Sequence, residues 1–196
     1  MKNGTKDTAL RKLTLSALLC ALSVVIGIIC KNFFTWNVYY RVTFENFPII
    51  LTGFCFGPFW GAAAGAAADV LSCLCSTNPA VNPVITAGAV TVGLLSGAVP
   101  MLFKKLFPSS KISLRLALAV AAAHLFGQVL IKSIGKILFF GMPPEGILIG
   151  LGFSAVIGTA EYFFILFLLR NRSIASSLDS ICPDIVRGLA KEGRKK

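Results

Sequence analysis

Residues Leu114 to Phe140 read LRLALAVAAAHLFGQVLIKSIGKILFF. Between Arg115 and Lys132 the run carries no fixed charge. It exceeds the ~20 residues that a helix needs to cross the hydrocarbon of a bilayer. His124, Gln128, Lys132 and Lys136 stand four residues apart, which places them on one slowly drifting face of an α-helix. Such a stripe cannot face lipid, where each unpaired polar group is costly, so it must face other helices or a wet cavity. The segment alone therefore predicts a membrane helix bundle with a polar cleft. In a blander reading the lysines snorkel to the interface and His124 is a satisfied core histidine. The four groups together favour the cleft, with two cations near its mouth and room for an elongated anion.

The rest of the chain fits that frame. Of its 196 residues 56% are hydrophobic and only 14% are charged, and mean hydropathy is +0.80. A water-soluble domain of this size carries more charge. Apolar runs predict an all-α, single-domain bundle of six transmembrane helices, at Leu13–Cys30, Val42–Phe56, Phe59–Cys75, Val81–Phe103, Leu114–Phe140 and Gly146–Leu169. The second is short for a crossing. Gly57-Pro58, the segment Ser76–Pro83 and Gly141–Gly146 supply the turns between them. A basic tail, 170–196, follows. The basic start and first apolar run lack an A-x-A cleavage site, so they read as a helix and not a removed signal peptide.

The net charge of +11 has no basic stripe with interleaved aromatics behind it, which argues against nucleic acid. Of the 19 lysines and arginines, only Lys31, Arg41, Lys132 and Lys136 fall at one set of helix ends, and the other 15 fall at the opposite set. Cytoplasmic loops carry the excess of positive charge, so both termini are expected in the cytoplasm. The six cysteines match no zinc or disulfide spacing and read as small apolar packers.

Small residues recur every four positions: Ala17 and Ala21; Gly57, Gly61 and Gly65; Ala89, Gly93 and Gly97; Gly146, Gly150, Ser154 and Gly158. Such stripes let helix backbones approach closely in lipid. Most should pack within the bundle, while one on the first helix could face a partner. The acids inside apolar runs are Glu45, Asp69 and Glu161. Glu161 falls at the depth of His124 and could pair with it, as Glu45 could pair with Arg41. Asp69 is the acid most readily assigned to a ligand, since a carboxylate accepts two hydrogen bonds from a guanidine-like ring edge. Arg41 could hold a ligand carboxylate. Asn78 and Asn82 are polar loop candidates, with turn formation as the alternative. Trp36, Tyr39 and Tyr40 fit either an interfacial aromatic belt or stacking on a flat ring. There is no P-loop, no H-E-x-x-H and a single histidine, so neither ATP hydrolysis nor metal catalysis is expected in this chain, and no cofactor.

The stretch Thr43-Phe-Glu-Asn-Phe-Pro-Ile-Ile-Leu-Thr-Gly53, then Phe56-Gly-Pro-Phe-Trp-Gly61 and Gly65 to Leu71 with Asp69, resembles the substrate-binding S component of energy-coupling-factor (ECF) transporters, most closely the folate branch. Ala66-Ala-Ala-Asp69 departs from the family pattern in lacking the glycine that often precedes this aspartate. The resemblance implies a non-enzymatic subunit of a prokaryotic plasma membrane. It would bind a vitamin from outside and dock on a transmembrane coupling subunit that carries two ATPase subunits. Ala17 and Ala21 would face that coupling subunit. On this reading Asp69, His124 and Gln128 meet the pterin ring, and Lys132, Lys136 and Arg41 meet the carboxylates of folate. Pantothenate, riboflavin and a queuosine precursor are the alternative ligands, whereas cationic thiamine suits a cationic mouth poorly.

Overall fold

A computed structural model describes residues 2–33, 43–75, 82–179 and 181–193. Every regular element among them is helical: α1 (Lys2–Phe33), α2 (Asn46–Phe56), α3 (Pro58–Leu74), α4 (Pro83–Leu106), α5 (Ile112–Ala122), a π-helical segment (Ala123–Ile131), α6 (Lys132–Phe140), α7 (Gly146–Arg170), α8 (Arg172–Asp179) and α9 (Pro183–Gly193). α5, the π segment and α6 run on as one long rod, helix five. Four helical stretches are long and apolar enough to cross a bilayer: Asp7–Lys31, Pro83–Leu106, Ile112–Phe140 and Gly146–Arg170. Phe59, Leu138, Leu148, Val156, Phe163 and Phe167 stand exposed on the outside. An outer surface this apolar suits lipid and not water.

α2 has 11 residues and every one is buried. At the usual rise it is about 16 Å long, too short to cross ~30 Å of hydrocarbon alone. It is instead the central element of the bundle. Gly57, at φ 106, turns the chain straight from α2 into α3, a conformation that costs glycine little. α3 then folds back against α2 and α4.

The glycine stripes make this approach possible. A methyl group at Gly61 would collide with the carbonyl oxygen of Gly93, and one at Gly93 with that of Gly61. Gly65 meets Ala89 in the same way, and Gly97 meets Pro58. Close backbone contact of this kind supplies the dispersion that holds helices together where no hydrophobic effect acts between them. α1 behaves differently. Its Ser16, Cys20, Ser23, Val24, Gly27 and Cys30 turn inward at helical spacing, while Ala17 and Ala21 are exposed among Leu18, Leu22 and Val25.

The tail also folds. α8 and α9 are amphipathic, and with the turn between them they bury Leu178, Ile181, Cys182 and Leu189 in the core cluster that contains Phe54, Cys55 and Phe56. Glu192 accepts from the backbone N–H of Ile112, from Ser113 N at 3.4 Å and from Ser113 Oγ at 2.8 Å. A carboxylate at the start of α5 satisfies unpaired amides and suits the helix dipole. Lys104 lies 2.7 Å from Asp184 and holds its carboxyl below the usual range. Among the described cysteines none forms a disulfide, and Cys20, Cys30, Cys55 and Cys182 are buried.

Two substitutions test the backbone contact. Gly93→Val should destabilise the protein by roughly 2–3 kcal/mol or more, since the neighbouring backbone cannot yield as a side chain would. Gly150→Ala, whose methyl meets nothing within 4 Å, should stay within about 0.5 kcal/mol of the parent. Thermal unfolding in detergent would read both.

Candidate functional site

The polar stripe of helix five is shaped by the π segment. From Ala123 to Ile131 the helix widens to π geometry, whose backbone bonds run i→i+5. Within it Gly127 is pressed against the backbone of Gly88 and Val92 on α4. The wider turn takes Lys132 out of line with His124 and Gln128, and the stripe divides between two chambers.

The first chamber is a cleft lined by Thr43 and Asn46 from the α2 end, by His124, Gln128, Val129, Ser133 and Lys136 from helix five, and by Gly150, Phe153, Ser154 and Ile157 from α7. Its free volume is about 40 Å³, room for roughly two or three waters. Asn46 Nδ2 donates to Gln128 Oε1 at 3.3 Å. His124 is held between two α7 side chains: Nδ1 lies 2.9 Å from Ser154 Oγ, and Nε2 lies 2.8 Å from Glu161 Oε2. Ser154, Gly158 and Glu161 share one face of α7 by their spacing of four and three. Gly158 lets the imidazole lie against the helix, because a methyl there would come within 3.2 Å of the ring. Beyond the His124–Ser154 contact an apolar groove of about 440 Å³ runs between helix five and α7, and it shares His124, Val129 and Ser154 as a wall with the cleft.

The second chamber lies on the α3 and α4 side and is lined by Ser23, Glu45, Asn46, Asp69, Ser72 and Lys132, among others. Lys132 is 5% exposed, and its Nζ lies 3.6 Å from Glu45 Oε1. The start of its side chain occupies the space above Gly88. Asp69 accepts from Thr86 Oγ1 at 2.7 Å. Ser23 Oγ of α1 donates to the carbonyl of Glu45 at 2.5 Å, and Lys31 Nζ donates to Ser72 Oγ at 2.7 Å. Asn46 belongs to both chambers.

His124, Gln128 and Lys136 thus come together as the stripe implies, while Lys132 and Asp69 line the neighbouring chamber. Asn82 is the N-cap of α4, its Oδ1 accepting from Val84 N at 3.0 Å and Ile85 N at 3.4 Å. The structure joins Glu161 to His124, the pairing that their depth allowed, and places Lys132 beside Glu45. Trp36, Tyr39, Tyr40, Arg41 and Asn78 lie outside the described residues. Sequence reading passed over Asn46 and Ser154 as binding groups. Asn46 was legible as an amide opening an otherwise apolar helix, which needs a polar neighbour. Ser154 was seen only as a small residue, since a serine in an apolar helix commonly bonds its own backbone.

A search of curated proteins returned no match. The family profile described as the substrate-specific component of ECF transporters matches residues 11–171, from early α1 to the end of α7 and the residue after it. The matched part contains both chambers and all of α2 to α7. The chain belongs to the ECF transporter substrate-specific component family, whose members are substrate-binding subunits and not enzymes.

Proposed function

We propose that this chain captures folate from outside a prokaryotic cell and delivers it inward together with a coupling subunit and two ATPase subunits. In this reading the bundle crosses the membrane with six helices and both termini in the cytoplasm, α2 and α3 forming an interrupted pair. The asymmetry of lysine and arginine supports that orientation. The cleft then opens outward at its Lys136 end.

The observation that carries the reading is the order of groups along helix five. His124 and Gln128 lie deep in the cleft and Lys136 lies towards the end of the same helix. A flat ring held deep and a carboxylate held near the mouth match that order. Arg41 joins Lys136 at the carboxylates, and Trp36 covers the ring. Lys132 holds Glu45 at the back of the site, and a ligand anion could take the place of Glu45 beside it. Asp69 lines the chamber behind Asn46, and Asn82 caps α4, whose Thr86 donates to Asp69. A vitamin needs a site of about 300 Å³ or more, so binding requires helix five and α7 to part. The apolar groove that shares the wall of His124 and Ser154 supplies the additional space. The exposed Ala17 and Ala21 are the proposed contact with the coupling subunit.

Titration of folate against tryptophan fluorescence in detergent should give tight, saturable binding. Pantothenate, riboflavin, thiamine and a queuosine precursor run in parallel, and tight binding of one of them in place of folate would keep the family and change the vitamin. Lys136→Ala should weaken folate by about tenfold or more, as loss of one charge-assisted hydrogen bond. Unchanged affinity would remove Lys136 from the site. Ala17→Leu with Ala21→Leu should leave folate affinity intact and abolish co-purification with the coupling subunit.

A further inference from the structure

Two polar groups of the cleft are left half satisfied, and they are complementary to each other. Asn46 is 1% exposed; its Nδ2 is spent on Gln128, and its Oδ1 is buried with no hydrogen-bond partner. A buried carbonyl without a donor is costly to maintain. The opposite wall carries Ser154. The state of its hydroxyl follows from the pair behind it. Glu161 is 1% exposed, with Oε2 against His124 Nε2 and Oε1 unpaired. Where Nδ1 carries the ring proton, it donates to Ser154 Oγ. The serine hydroxyl is then left to donate onward. Thr159, on the same helix, donates back to Ala155 O at 2.7 Å, whereas Ser154 has no such backbone bond. Asn46 and Ser154 both line the cleft.

We infer that the buried end of the cleft reads an amide-type edge, in which a ligand N–H donates to Asn46 Oδ1 and the adjacent ligand carbonyl accepts from the Ser154 hydroxyl. This rests on the cleft being the ligand site, and it defines the chemical class of the ligand without naming the vitamin. A lactam, an imide or a cyclic urea presents the edge. A ring whose N–H is blocked does not, and it leaves the Asn46 carbonyl buried and unpaired, the arrangement that gives the strongest discrimination between close analogues.

The test uses the full-length protein in detergent and two fragment probes, 2-pyridone and N-methyl-2-pyridone, followed by ligand-observed NMR at millimolar concentration. The parent protein should prefer 2-pyridone by roughly tenfold, the worth of one well-buried hydrogen bond. Asn46→Leu and Ser154→Ala should each remove that preference. Equal binding of the two probes, no binding of either, or a preference that survives both substitutions would overturn the inference. Thermal unfolding provides a readout that needs no ligand. Leucine has the shape of asparagine without the unpaired carbonyl, so Asn46→Leu should leave Tm within about 3 °C of the parent. A fall beyond about 8 °C would show Asn46 to be a structural group and overturn the inference as well. Selective 2-pyridone binding without folate binding would leave the edge standing and remove folate. Folate binding indifferent to both substitutions would do the reverse.

Discussion

The contact between Glu161 and His124 is the constraint on which the site depends. A carboxylate 1% exposed inside an apolar bundle must find a partner, and the imidazole 2.8 Å away is that partner. Meeting it fixes the rotation of α7 against helix five. Glycine at 158 suits that contact, because a methyl there would lie 3.2 Å from the ring, tighter than ordinary van der Waals contact. Ser154 is carried to the other ring nitrogen by the same face of α7. The cleft is the space left between those two helices on the side away from the lipid, and its polar lining exists because this pair cannot turn outward.

A second constraint works at the opposite wall. Glycine contacts between α3 and α4 pull their backbones together and enclose α2 on all sides. With α2 so placed, Glu45 and Asn46 at its start are delivered to the centre of the molecule. Glu45 meets Lys132, and its carbonyl accepts from Ser23 of α1. Helix five and α1, the helix proposed to face the coupling subunit, are thereby joined through one residue that borders the proposed ligand site. A ligand anion that drew Lys132 away from Glu45 would loosen this join, which offers a physical path from an occupied cleft to the docking face.

Much of the architecture was legible because apolar run length and breaker residues are strong signals in membrane helices. The expected helices Phe59–Cys75, Val81–Phe103 and Gly146–Leu169 lie within three residues of α3, α4 and α7 at each end. The pairing of His124 with Glu161 was legible from depth alone. The split of the stripe was not. Four-residue spacing implies one face only while the helix is α, and the π turns arise where α4 presses on Gly127, a tertiary contact that no local pattern announces. The tail helices were hidden for a related reason: Ile181 to Leu189 is too short to be read as a helix, and it is held in place by Glu192 at the start of α5. Asn46 could have been singled out as an amide opening an apolar helix, but its unpaired oxygen shows only once the chain is folded.

The central claim is that the cleft along helix five opens to the outside and holds the vitamin. Its most direct test places a single cysteine at position 136, as Lys136→Cys in a chain whose native cysteines are replaced by alanine, and exposes intact cells to a membrane-impermeant thiol reagent with and without folate. The account predicts labelling from outside that folate suppresses in a saturable manner. Labelling only after the cells are opened, or labelling that folate leaves unchanged, would contradict it.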